Sequence, residues 1–452
     1  MSATAPPDLI DRLADAALSA PTSAAVMSPG GALTFRDLHR RCLGAAGALA
    51  AGGGVEIAAD APAAVWLPWL AGGMLAGMRV GIAGDGPDAA APEADTIPAF
   101  ASQTAPSLVV RTSGTTGEPR VLRRDRLGWL KCFAAEAAHL DLNSADRVLT
   151  LGAAGFSLTP YAALRSMHLG CPVGVLPGVA GRTAAELYDT LAPSVIYGAP
   201  PLVMLLAQQR ARRRGSDTAV RRIITGGARL TPVQAETIGA VWPNARLVTF
   251  YGAAETSFLT MNTAPDPSDP TDVGEPFPGV EVAATGDGGL SVRTPYAAVG
   301  VERADGAVAP LADADGWISL KDRGYVDAAG RVRLAGRTDD LLNVAGALVD
   351  PGPAERAIEG LPWVAEAALF TRPDAQRSDA LWAAVVPAAT PPADAGARVA
   401  HAGAEAMPSL SGRRVLCLDG AAVPRTGGGK LDKQGLVDIA EAAGSLRTEP
   451  TA

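Results

Sequence analysis

The residues Thr112-Ser113-Gly114-Thr115-Thr116-Gly117-Glu118-Pro119-Arg120 set hydroxyls, glycines and a terminal guanidinium directly behind a short apolar run, Leu108-Val109-Val110. Glycine permits tight turns, and hydroxyls with free backbone N–H groups can wrap an oxyanion, so phosphate binding is the chemistry on offer. The same composition also serves in plain surface turns, so the rest of the chain has to decide. The Lys-containing phosphate loop, Gly, four residues, then Gly-Lys-Ser/Thr, is absent. Gly429-Lys430 comes nearest, but Pro424 stands where the first Gly belongs and Leu431 where the hydroxyl belongs.

Short apolar runs recur behind this segment: Val148 to Leu151, Val173 to Leu176, Val195 to Tyr197, Arg222 to Thr225 and Leu247 to Phe250. Helix-like stretches separate them, Leu127 to Leu140, Thr183 to Leu191 and Pro201 to Gln209. Strand and helix in alternation predict an α/β chain with parallel-rich sheets covered by helices. Ligands in such sheets bind beyond the carboxyl ends of the strands. Three runs end in polar or Gly-rich segments, Thr112 to Arg120, Gly226-Gly227-Ala228 and Tyr251-Gly252-Ala253-Ala254-Glu255-Thr256; if the strands are parallel, all three meet at one edge. Earlier, Thr34 can cap a helix carrying Leu38 and Cys42, and the Ala/Pro/Asp-rich stretch 85–98 reads as a linker. A second, smaller α/β unit follows: a helix near Pro353 to Gly360, strands near Glu366 to Phe370 and Trp382 to Val386, a Pro/Ala-rich loop at 387–396, and Arg414 to Cys417.

The strand followed by Thr-Ser-Gly-Thr-Thr-Gly-x-Pro-Arg resembles the phosphate loop of the acyl-adenylate-forming (AMP-dependent synthetase/ligase) superfamily, which includes acyl-CoA synthetases, peptide-synthetase adenylation domains and luciferases. In that family the last residue is usually Lys; Arg120 keeps the charge and offers a fork. The resemblance implies that Thr112, Ser113, Gly114, Thr115, Thr116 and Gly117 hold ATP phosphates, with Arg120 catalytic. Tyr251-Gly252-Ala253-Ala254-Glu255 resembles the Tyr-Gly-x-Thr/Ser-Glu segment, so Tyr251 and Gly252 would flank adenine and Glu255 would hold Mg2+. Ala254 departs from the pattern where a hydroxyl is usual, losing a hydrogen bond worth ~1 kcal/mol or more. Gly226-Gly227-Ala228-Arg229-Leu230 resembles the turn that lies against adenine and the acyl pocket. Trp317 to Tyr325 resembles the Trp-x-x-Thr-x-Asp-x-Gly segment, placing Asp322 on the ribose hydroxyls. Gly336-Arg337-Thr338-Asp339-Asp340 resembles the hinge, with Arg337 on ribose or phosphate and Asp339 the pivot. Pro424 to Lys433 resembles the terminal glycine loop whose lysine, here Lys430, reaches carboxylate and α-phosphate oxygens. A cation there offsets charge as the five-coordinate phosphorus forms.

By the same resemblance the domains are 1–338 and a mobile 339–452, and the activity is ATP-dependent activation of a carboxylic acid to an acyl-adenylate, then transfer to a thiol. Coenzyme A is the first choice of acceptor and a carrier-protein phosphopantetheine arm the second; an inactive nucleotide-binding homologue is the further alternative. Only about 110 residues precede the phosphate loop, short for the family. Ser157 stands where amino-acid-activating relatives carry Asp, so an α-amino acid is disfavoured. Phe156, Ser157, Tyr197, Gly226 and Phe258, with Tyr161 and Met167, would furnish an apolar or aromatic acyl pocket, although the ring-bearing residues fit a core equally well. Arg210, Arg212, Arg213, Arg214, Arg221 and Arg222 form one basic cluster, either a solvated helix end or a landing site for coenzyme A phosphates or an acidic carrier protein.

At 452 residues, 48% apolar and 19% charged, the chain reads as a soluble globular protein of more than one domain. A net charge of -8 argues against nucleic acid as a partner. The start lacks a basic region followed by an apolar core, and the apolar window Ala63 to Ala76 is too short to span a bilayer, so no membrane association is expected. Cys42, Cys132, Cys171 and Cys417 have no metal-type spacing and suit buried thiols in a reducing cytoplasm.

Overall fold

The computed structural model describes residues 9–52, 54–58, 60–82, 108–112, 120–179, 181–303, 305–337, 340–344, 347–374, 377–410, 412–418, 423–426 and 430–445. The linker expected at 85–98, the segment Ser113 to Gly117 and the expected pivot Asp339 lie outside them.

The strands Arg246–Ala253, Arg222–Gly226, Val195–Gly198, Val148–Leu151 and Val173–Leu176 lie side by side in that order, all parallel. Three of them, Val148–Leu151, Val173–Leu176 and Val195–Gly198, are buried at every residue, as the near-continuous apolar runs require of strands covered on both faces. The helix Leu158–Leu169 is buried along its whole length, and Arg182–Leu191 and Pro200–Arg214 pack on the same sheet. Thr34 does cap: its Oγ1 accepts from the Asp37 amide at 3.1 Å, starting the helix Phe35–Gly52. The apolar window forms the helix Ala63–Ala76, and among the described residues no helix is long and apolar enough to cross a membrane.

Beyond Arg246–Ala253 the thirteen-stranded sheet turns antiparallel through Ser257–Asn262, Asp272–Pro276, Val332–Arg337, Ile318–Val326 and Gly289–Arg293. The condition that all three runs lie parallel in one sheet is not met. Leu108–Thr112 belongs to a separate six-stranded sheet, where it runs antiparallel to Arg120–Arg124 with Thr112 opposite Arg120. The run Arg-Val-Leu-Arg-Arg hides this strand from an apolar pattern, because its charges are neutralised by tertiary partners: Arg123 Nη1 donates to Glu302 at 3.0 Å.

In the C-terminal part, the long strands Val364–Asp374 and Arg377–Pro387 pair antiparallel, with Val415–Cys417 parallel beside the second. The helices Gly352–Glu359, Ala395–Gly403 and Lys433–Ser445 complete it. The buried apolar residues of residues 9–318 and those of 354–440 form separate clusters.

Candidate functional site

The strand Arg246–Ala253 carries Tyr251, and the turn from it into Ser257–Asn262 carries Glu255. At Gly252 an added Cβ would lie 2.0 Å from the Ser257 carbonyl, so only glycine lets the strands close here. Arg124, 1% exposed, reaches across from the other sheet and fixes the turn. Its Nε and Nη2 donate to the Ala254 carbonyl at 3.1 and 2.8 Å, Nη2 also to Ser257 Oγ at 2.9 Å, and Nη1 to the Tyr296 carbonyl at 3.0 Å. Burial pushes the guanidinium pKa down to about 10, against the pull of surrounding acidic groups. Arg120, at the other end of that strand, donates from Nη1 to Glu255 at 3.3 Å. Thus, although Arg120–Arg124 lies in a different sheet, Arg120 reaches the Glu255 carboxylate.

Asp322 and Arg337 face each other across the antiparallel pair Ile318–Val326 and Val332–Arg337. Arg337 Nη1 donates to Asp322 Oδ1 at 3.3 Å, and Tyr251 lies near enough for the Asp322 carboxylate to act on its hydroxyl. Burial, then the Asp322 charge, raises the Tyr251 hydroxyl well above its ordinary range. Lys430 completes the group from the C-terminal part. Its pKa falls below the ordinary lysine value, first by desolvation and then through Arg337, while Asp340 and Asp322 oppose the fall. The loop bearing it is anchored by a fork: Arg425 Nη1 and Nη2 donate to Glu366 at 3.0 and 2.6 Å, and Thr426 N to the Lys430 carbonyl at 2.9 Å.

Gly226 and Gly227 end a neighbouring strand. A Cβ on Gly226 would lie 2.7 Å from the Phe250 ring, and Gly227, at φ +81°, has Phe156 3.3 Å from where its Cβ would be. Ala228 follows, half-buried. Phe250 packs on Phe258 at 4.7 Å and Phe258 on Tyr161 at 5.1 Å, so Phe156, Gly226 and Phe258 do gather at one place. Ser157 lines a narrow recess with Ala154, Leu70 and Leu108.

Tyr197 has to be corrected from pocket to core. It is fully buried, its hydroxyl donates to Glu136 Oε1 at 2.6 Å, and the Arg165 guanidinium lies 4.9 Å from its ring. Glu136 also accepts from Tyr161 at 3.1 Å and pairs with Arg165 at 3.5 Å. The basic cluster divides likewise. Arg210 is buried against Asp189, Arg221 is forked on Asp146, and Arg222 donates to the Leu140 carbonyl; Arg212 and Arg213 are exposed. Of the cysteines, Cys417 is exposed, contrary to the expectation of buried thiols throughout. Arg124 and Glu136 were not singled out from the sequence; Glu136 leaves a signal as a charge inside an apolar run, and Arg124, in an Arg-rich stretch, leaves none.

Among the described residues no group of three or more His, Cys, Asp or Glu side chains could hold a metal by itself. A lone carboxylate such as Glu255 fits Mg2+, which takes one or two carboxylates and fills its shell from phosphate and water.

Residues 77–297 match the family described as AMP-binding enzyme. The chain is 28% identical over 274 residues to the uncharacterized acyl-CoA ligase YhfT of Bacillus subtilis, spanning 58% of this chain and 55% of that protein. It is 27% identical over 316 residues to the fatty acid–[acyl-carrier-protein] ligase ScoC of Streptomyces coeruleorubidus, spanning 66% and 60%. The chain thus spans little more than half the length of these relatives. The fold is similar to the crystal structure of the anthranilate CoA ligase AuaEII in complex with anthranoyl-AMP, with a TM-score of 0.75 at 18% identity over 98% of this chain and 99% of that one.

Proposed function

We propose that the chain, whose residues 77–297 match the family described as AMP-binding enzyme, activates a carboxylic acid with ATP and passes the acyl group to a thiol. The observation that carries this reading is that Asp322 and Arg337 pair at 3.3 Å while Tyr251 and Lys430, from distant stretches, lie near enough to feel both charges. Adenine lies along Tyr251 and the Gly227-Ala228 turn. Asp322, held by Arg337, accepts from both ribose hydroxyls, which suits a carboxylate. By the sequence resemblance Arg120 and the segment Thr112 to Gly117 would bind the phosphates, and Glu255 would hold Mg2+, whose charge would neutralise phosphate oxygens.

In the first step a carboxylate oxygen bonds to the α-phosphorus as the bond to the bridging oxygen breaks and pyrophosphate leaves. Lys430 donates to the oxygens on which negative charge accumulates, a contribution of position and electrostatics. In the second, a thiol attacks the acyl carbonyl and AMP departs. Residues 1–338 bind nucleotide and acid, and 339–452 carry Lys430 in and out about Asp339. Phe156, Gly226 and Phe258 wall the acid site, and Ser157 cannot pair with an α-ammonium group, so the acid is an acyl or aryl acid. The inert reading is disfavoured because Lys430, Asp322 and Glu255 are all retained.

Coenzyme A is the proposed acceptor. A carrier-protein arm is the second reading, favoured by exposed Arg212 and Arg213 and by the likeness to ScoC. Acid-dependent exchange of labelled pyrophosphate into ATP, run over aliphatic and aromatic acids, tests the first step; silence across the panel contradicts it. Offering coenzyme A and a phosphopantetheinylated carrier to enzyme charged with labelled acid separates the acceptors.

A further inference from the structure

Arg229 follows the Gly226-Gly227-Ala228 turn at a position no feature of the nucleotide cleft uses. Its Nε donates to Glu359 Oε2 at 3.1 Å, and Nη2 reaches Glu359 Oε1 and Glu355 Oε2, each at 3.2 Å. Both carboxylates belong to the helix Gly352–Glu359 of the C-terminal part, and both are buried. Each is tied a second time, to the strand Val364–Asp374: Glu355 accepts from the Leu369 amide at 2.9 Å and Glu359 from the Ala367 amide at 3.3 Å. Two residues on from Arg229, Thr231 Oγ1 donates to the Ala365 carbonyl at 3.0 Å.

The strand that receives these contacts also carries Glu366, the carboxylate that forks Arg425 and so holds the Lys430 loop. A continuous path therefore runs from Arg229 through Glu355 and Glu359 to the strand, to Glu366, to Arg425 and to Lys430. Arg356 is the second cation near the two carboxylates, and its own pKa is lowered by burial first and by Arg229 next. Without Arg229, two buried glutamates would share that single arginine. Burial raises Glu359, and Arg229 pulls it back down; burial alone would lower the Arg229 pKa, and the two carboxylates reverse this.

We propose that Arg229 is a positioning residue for Lys430: by clasping Glu355 and Glu359 it docks the C-terminal part in the one orientation that places Lys430 beside Asp322 and Arg337. This rests on the adenylation reading above. The clasp serves the first half-reaction and has to open for the second, so its loss slows one and not the other. Arg229→Ala is expected to lower pyrophosphate exchange by about 10- to 100-fold, while transfer to thiol from supplied acyl-adenylate is unchanged or faster. Arg229→Lys, which keeps a charge but no fork, should recover part of the loss. A second readout needs no activity: spin labels at Glu236→Cys and Arg398→Cys, in a Cys417→Ser background, should give a narrow distance distribution that broadens with Arg229→Ala. A parallel fall of both half-reactions, or an unchanged distance distribution, overturns the proposal. A silent parent enzyme with a distribution that broadens in the variant supports the clasp and contradicts the adenylation reading instead.

Discussion

Tyr197→Phe separates a core tyrosine from a substrate-facing one. The substitution keeps the ring, so it opens no cavity, and it deletes only the hydroxyl that donates to Glu136 at 2.6 Å. Glu136 keeps Tyr161 and Arg165, at 3.1 and 3.5 Å. A hydrogen bond to a charged group contributes about 1.5–3 kcal/mol, and none of these groups reaches water to compensate. Urea unfolding at pH 8 should therefore show a loss of about 1.5–3 kcal/mol at unchanged m-value. The sign of its pH dependence follows from Glu136, which burial raises above its ordinary value while Arg165 and the two tyrosines pull it back. Deleting the Tyr197 bond raises the folded pKa further, so the deficit is largest at pH 8 and shrinks as pH falls through that range. The acid's KM in the exchange assay should barely move. A stability loss near zero together with a large change in KM would refute the core assignment.

Three further expectations follow from the same geometry. Lys430→Ala should cut pyrophosphate exchange by ~10²-fold or more and spare thiol transfer from supplied acyl-adenylate; equal loss of both would count against a lysine that serves one step. Because Lys430 sits below the ordinary lysine value of 10.5, its charge is lost as pH rises through that lowered value. The alkaline limb of kcat/KM for exchange should accordingly lie below 10.5 and move upward in Lys430→Arg; an unmoved limb assigns it elsewhere. Arg124→Met strands the Ala254 carbonyl, whereas the Tyr296 carbonyl keeps Ser257 Oγ at 3.0 Å, and at about 1–3 kcal/mol for the unsatisfied acceptor the thermal midpoint should drop, with exchange weakened as Glu255 loosens. A variant as stable as its parent would show that the turn stands without Arg124.

A glycine pair, a Tyr-Gly turn, an aspartate before a glycine or a lysine in a glycine loop is each an ordinary turn by itself; these segments were legible through their order along the chain and their resemblance to one family. The Thr34 cap and the helix over residues 127–140 were legible locally, since capping and 3.6-residue periodicity are short-range. Strand pairing is not. That Leu108–Thr112 pairs with the Arg-rich Arg120–Arg124 in a separate sheet depends on partners such as Glu302, remote in the chain. Side-chain direction fails likewise: Tyr197 lies among the expected pocket residues in sequence, yet it points to a buried carboxylate on another helix. Arg124 and Arg229 act only through residues far from them in sequence, so no local pattern marks them.

Photolabelling with an azido-adenine analogue of ATP, followed by peptide mapping, tests the shared nucleotide cleft most directly. The predicted result is label on peptides containing Gly227-Ala228, Tyr251 to Glu255 or Asp322, competed away by ATP and reduced in Asp322→Ala. Label confined to other surfaces, or label at these peptides that ATP does not displace, would contradict it.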